Sequence, residues 1–247
     1  MKRKVLLLTL CLFFTVATAA FPADEITIKV VFAFADQFPD SAEPLGFSKG
    51  QVLSLGALIV PSGSPITEVT AKNLDTGLVL KPTSLKIGTI LPALYQVIPW
   101  PSFDPSKHMG VWEIRAKDEK GNEAVAKTHK MDKVGQIPYV EDLKASGNPL
   151  APTITWTAPN EKDIPQGCIV KYRVRLLKDL DNQIYRSKGI SDTKHQIPEG
   201  KLKSEDLSDI YIRVECQFLD KDELEHPVPL ELRSQTFRPL EEALGKQ

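Results

Sequence analysis

Short runs of apolar residues two positions apart recur along this chain, and no long segment places its apolar residues at helical spacing. Successive side chains of a strand point to opposite faces, so such alternation marks a ribbon with one buried side. In the first half the pattern predicts strands over residues 26–35, 52–60, 66–72, 78–81, 95–98, 111–117 and 123–129. In the second half it predicts them over 143–145, 152–159, 170–176 and 210–218. Pro, Gly, Asp and Asn punctuate the runs, the rhythm of an all-β chain that closes into sandwiches. Residues 131–140 carry Gly135 and Pro138 without any period. The expected layout is therefore two tandem β-sandwich domains, 21–131 and 140–238, joined by a linker at 132–139 and followed by a tail at 239–247.

Two segments resemble known families. In the first half, Gly110-Val-Trp112-Glu-Ile-Arg-Ala116-Lys-Asp118-Glu-Lys-Gly121-Asn122 is similar to the closing hairpin of bacterial Ig-like domains. Trp112, Ile114 and Ala116 alternate there with Glu113, Arg115 and Lys117, and Gly121 supplies the positive φ of a tight loop. In the second half, the order and spacing of the runs across 138–239 resemble a fibronectin type III domain. The family's second-strand Trp falls on Trp156, and the Tyr-x-Val of its third strand falls on Tyr172 and Val174. The sixth strand departs from that pattern. Turning Tyr211 inward as a corner tyrosine would bury Arg213 and Glu215 with it, which is costly. Parity instead places Ile210 inside and Tyr211 outside.

The N-terminus changes the compartment. Met1-Lys-Arg-Lys4 precedes an apolar run of about a dozen residues and then Ala17-Thr-Ala-Ala20, the layout of a secretory signal peptide over residues 1–20. That run is shorter than the roughly 20 residues a spanning helix needs. Bulky Leu10 and the apolar sequence after Cys11 argue against lipidation of that cysteine. The expected location is periplasmic or secreted. With Lys2, Arg3 and Lys4 gone, the formal charge of −1 becomes −4, which offers no electrostatic footprint for nucleic acid.

Candidate chemistry is sparse. Gly46-Phe-Ser48-Lys-Gly50 matches a hydrolase nucleophile pattern, but a strand rather than a helix follows it, so turn chemistry explains the glycines. His108, His129, His195 and His226 show no metal-ligand spacing and read as solvated residues, and neither a metal nor a cofactor is expected. The 36–40 loop and the turn at Asp118 lack the ligand density of a calcium loop. Cys168 and Cys216 share the parity of buried residues on strands that the fibronectin resemblance makes neighbours. A register opposing them gives a disulfide, whereas a slip of two leaves packed thiols. Two binding surfaces remain. Lys171, Arg173, Arg175, Tyr211 and Arg213 form a charged outer sheet face, against which a plain solvated face is the competing reading. Tyr95, Trp100 and Phe103 form a Pro-rich aromatic loop able to stack on sugar or to cap the sandwich. The expected function is non-enzymatic binding of a protein partner at the bacterial envelope or surface. Carbohydrate is the alternative ligand, and a periplasmic chaperone is the third reading.

Overall fold

The computed structural model describes residues 25–40, 49–85, 93–97, 103–133, 137–178 and 182–245. The signal-peptide segment, Ser48 and Trp100 lie outside them. The first half carries β1 (Thr27–Phe38), β2 (Gly50–Val60), β3 (Ile66–Asn73), β4 (Val79–Leu80), β5 (Thr83–Leu85), β6 (Ala93–Val97), β7 (Trp112–Asp118) and β8 (Glu123–Lys127). The second carries β9 (Glu141–Ser146), β10 (Thr153–Thr157), β11 (Cys168–Leu177), β12 (Gln183–Arg186), β13 (Lys194–Gln196), β14 (Tyr211–Asp220) and β15 (Leu230–Pro239). The fold is all-β, with sheets stacked as in a sandwich.

Three sheets form among the described residues. A four-stranded sheet runs β4-β3-β7-β8 and a three-stranded sheet runs β13-β10-β9. Both lie against one eight-stranded sheet, β12-β11-β14-β15-β1-β2-β6-β5, which passes from the second half into the first without a break. The crossing point is the parallel pair of β1 and β15, in which Ala35, Asp36 and Gln37 register with Leu232, Arg233 and Ser234. The segment expected to be a linker is pinned along the same strand. Ser234 Oγ donates to the Pro138 carbonyl at 2.6 Å, Thr236 Oγ1 donates to that of Val140 at 3.2 Å, and Ile137 is buried.

Alternation explains which side of the large sheet is greasy. Ala33, Ala35, Leu53, Leu55, Ile114 and Trp112 belong to one hydrophobic cluster, and it continues through Trp156, Tyr172, Val174, Val214 and Phe218. Trp112 donates from Nε1 to the His108 carbonyl at 3.0 Å, so its one polar atom is satisfied in the core. The Trp156 and Tyr172 rings meet edge to face at 5.3 Å. The β7–β8 hairpin follows its sequence closely: Gly121 takes φ 88°, and Asp118 accepts from Ser62 Oγ at 2.6 Å and from the Asn122 backbone at 2.9 Å. Those bonds hold the Asp118 carboxyl below its ordinary range, with the Ser62 hydroxyl the largest cause.

The opposite side of the large sheet is different. Phe32 and Phe34 of β1 form a small second cluster with Val228 and Leu230, and Asp36 shares their parity. Toward β15, β14 and β11 that same side becomes polar.

Candidate functional site

Positions of one parity on β11, β14 and β15 carry Arg173 and Arg175, then Arg213, Glu215 and Gln217, then Arg233 and Gln235. Register brings them side by side: Arg173 faces Glu215, Arg175 faces Arg213, Gln217 faces Arg233 and Glu215 faces Gln235. Glu215 is fully buried at the centre. Its Oε1 lies 2.6 Å from Arg175 Nε and 3.1 Å from Arg213 Nη2, while Oε2 lies 3.8 Å from both Arg173 Nη1 and Arg233 Nη1. Burial alone would raise the Glu215 pKa, but Arg175, Arg233, Arg213 and Arg173 together hold it well below the carboxylate range.

The network reaches across the junction. Arg233 grips Asp36 of β1 through both Nε and Nη2, and Gln235 Nε2 donates to the same carboxylate at 2.8 Å. A two-pronged guanidinium–carboxylate contact fixes orientation as well as charge. The Arg233 guanidinium also lies over the Phe34 ring, 4.7 Å from its centroid.

Toward β12 the cations thin out into a rim. Lys171, Arg173, Arg186 and Tyr211 are half-buried, and the Arg173 side chain keeps 19% of its surface. Neither Lys171 nor Arg186 makes an ion pair among the described residues. Desolvation, followed by repulsion from Arg175 and Arg173, lowers the Arg186 pKa to about 9. The charged outer face anticipated from sequence therefore has the right parity and the wrong exposure. Arg175 and Arg213 are interior residues, because long guanidinium side chains pair sideways around Glu215 and with Gln183 and Gln235.

Other expectations fare unevenly. The aromatic loop does not assemble among the described residues: Phe103 is buried in the main core against His108, Tyr95 lies on β6, and Trp100 is outside the described set. The disulfide is absent. β11 and β14 do pair antiparallel, but Cys168 faces Asp220 and Cys216 faces Tyr172. This register sets the cysteines four positions apart along the strands, about 13 Å, beyond bridging distance, and both thiols are free. Burial raises the pKa of each to about 12. In the 36–40 loop Asp36 is held by Arg233, and Asp40 pairs with Lys49 at 3.0 Å.

The histidines are the clearest correction. None is exposed: His108 accepts from the Asp104 backbone at 2.8 Å, His195 meets Tyr185 Oη at 2.7 Å, and His129 is buried beside Glu231 with the His226 ring 5.3 Å away. Their polar sequence neighbours conceal this, since each partner lies in another segment or at another turn of the chain.

No family model matches the chain, and no curated protein sequence matches it. Solved structures give loose overlaps. Domains A168–A170 of titin share 13% identity over 84% of this chain and 66% of that one, with a TM-score of 0.27. The N-terminal part of the bacterial S-layer protein SbsC shares 10% identity over 78% and 40%, at 0.25. Murine CEACAM1b shares 12% over 86% and 97%, at 0.22. Overlaps this loose transfer neither fold nor function, and the β architecture rests on this chain's own strands.

Proposed function

We propose that this chain is an exported, non-enzymatic binding protein, built from an Ig-like and a fibronectin type III-like sandwich, and that it engages an anionic partner of the bacterial envelope or surface. The carrying observation is the rim at the β12 end of the large sheet, where Lys171, Arg173 and Arg186 gather half-buried. Burial, reinforced by neighbouring guanidinium groups, lowers the pKa of Arg173 and Arg186, a cost that an opposite charge on a partner would offset, and Arg beside Tyr is a composition that interface centres favour. The unbroken sheet beneath supports an adaptor role, because the junction at Asp36 and Arg233 holds both halves in one orientation. Export rests on the N-terminal basic, apolar and small-residue pattern. Among the described residues no helix is long and apolar enough to cross a membrane.

Capture from a detergent-solubilised envelope fraction tests the reading, comparing wild type with a Lys171→Glu/Arg186→Glu variant of matched thermal stability. The expected result is a partner retained at low salt, released as salt rises, and lost with the charge-reversed variant. A partner held equally by both proteins would place the interface elsewhere.

A further inference from the structure

β8 closes one side of the four-stranded sheet, and no strand pairs with its outer edge among the described residues. The hairpin fixes which backbone groups reach that edge. Thr128 N–H donates to the Trp112 carbonyl at 2.9 Å, and Asp118 N–H donates to that of Asn122 at 3.0 Å. Bonded and non-bonded pairs alternate along an antiparallel ladder. Between those two ends the bonded pairs are therefore Ile114 with Ala126 and Ala116 with Ala124. Glu123, Val125 and Lys127 turn their N–H and C=O groups away from β7, and none of these groups bonds another segment among the described residues. Their side chains are exposed as well, Val125 keeping 47% of its surface.

A bare edge invites a further strand, and proteins commonly blunt it by shortening, bending or covering it. The other outer strands show such devices. β4, β5, β12 and β13 have only two to four residues. β9 is bent by the positive φ of Asp142, and Arg238 Nη1 donates to its Leu143 carbonyl at 2.7 Å. β8 runs five residues in unbroken register.

Its charges attract a second copy of itself. Glu123-Ala-Val-Ala-Lys127 is antisymmetric in charge about Val125. When two copies lie antiparallel with Val125 opposite Val125, each Glu123 stands opposite Lys127 of the second copy. All the outward N–H and C=O groups then find partners, whereas a slip of two residues removes both charge pairs. The pattern extends into each sheet. Glu68 faces Lys117 and Lys117 faces Glu123 in one copy, while Lys127 faces Glu113 and Glu113 faces Lys72 in the other. Opposite charges thus alternate without a break from β3 of one copy to β3 of the next, the arrangement that stabilises cross-strand neighbours. Glu123 already lies 3.0 Å from Arg115, and a carboxylate can accept from both cations. Lys127 makes no ion pair among the described residues.

We propose that β8 is a homodimer interface, at which two copies of this chain pair antiparallel about Val125 and join their four-stranded sheets into one. Such a two-fold contact is closed, the same patch meeting itself. Strand addition over so short an edge makes a weak dimer that assembles with concentration. The surface is separate from the arginine rim on β11 and β12, so the two readings fail independently.

Sedimentation equilibrium of the full-length product, purified after export, measures the association. Glu123→Lys gives a strand with Lys at both ends, and Lys127→Glu one with Glu at both. Each alone is expected to associate about tenfold or more weakly, because both cross-copy pairs become repulsive. Mixed in equal amounts, the two variants are expected to form a heterodimer at least as tight as the wild-type dimer, since every opposed pair is again Glu with Lys. Val125→Pro tests the backbone contacts. The Val125 N–H takes no part in the β7 ladder, so proline is expected to preserve the thermal midpoint and abolish the dimer. A wild-type chain that stays monomeric at every concentration would overturn the proposal. So would a dimer that survives both charge reversals, or one that the mixture fails to restore. Should a charge variant not fold, Val125→Pro decides: an unweakened dimer sinks the interface. Lys171→Glu/Arg186→Glu is expected to dimerise like the wild type, and loss of the dimer there would move the contact to the rim.

Discussion

Replacing Asp36 by Ala attacks the junction at its narrowest point. β1 and β15 share only three registered pairs, and the Asp36 carboxylate accepts from Arg233 and Gln235 in the middle of them. The variant leaves the fully buried Arg233 guanidinium with Glu215 at 3.8 Å as its nearest carboxylate. Removing one partner of a buried ion pair costs about 3–5 kcal/mol, chiefly because the surviving charge stays desolvated. With a urea m-value of about 3 kcal/mol/M, the midpoint is expected to fall by about 1–1.7 M. Urea titrations followed by tryptophan fluorescence and by circular dichroism measure it, and coincident curves in the wild type would show that both halves unfold together. A second variant, Asp36→Leu/Arg233→Met, removes both charges and is expected to recover more than half of the loss. A single-variant shift corresponding to under about 1 kcal/mol, or a double variant no more stable than the single, would refute the claim that desolvated charge locks the junction.

Three further outcomes follow from other parts of the structure. The folded-state pKa of Glu215 is depressed, so its pairing contributes stability above the unfolded value of about 4.3 and loses it as pH falls below that value. The stability gap between wild type and Glu215→Gln should therefore narrow between about pH 5 and pH 3, and a constant gap in urea titrations would contradict the pairing. Gly110 has φ 102°, and a Cβ there would run into the Asp75 carboxylate, which accepts from the Val111 N–H at 3.1 Å. Gly110→Ala is expected to cost more than about 1 kcal/mol by thermal or urea unfolding. Reductant should leave the thermal midpoint unchanged, and the buried Cys216 should react with a thiol reagent only after unfolding; a midpoint that drops under reductant would restore the disulfide.

Much of the strand pattern is legible because period-two burial is a local property. The 112–118 strand and the core positions of Trp112, Trp156 and Val174 can be read from alternation, whereas the pairing of β11 with β14 is what the fibronectin resemblance implies. β15 escapes that reading. Leu230–Pro239 sets Leu, Ser and Thr against Glu, Arg, Gln and Phe, so neither face is uniformly greasy. β5, β12 and β13 are too short to show a period. The His129–Glu231 pair is equally hidden, since its partners are about a hundred positions apart and Glu231 sits at a bulge.

The unread β15 and the misjudged exposure of the arginines have one cause. Alternation tells which residues leave a core together, but not whether water lies where they point. In two separate sandwiches, the face turned away from the second core would be open, and keeping Arg213 and Glu215 on it would avoid a desolvation cost. Here β15 spends its other edge on β1, and Arg233 and Gln235 from that strand bring Asp36 into the same layer. The outer face then becomes a second interior built from charge. Arg suits it where Lys would not, because a planar guanidinium can hold Asp36 at two points while lying on Phe34. The polar face of β15 is thus the means by which the two halves share one sheet.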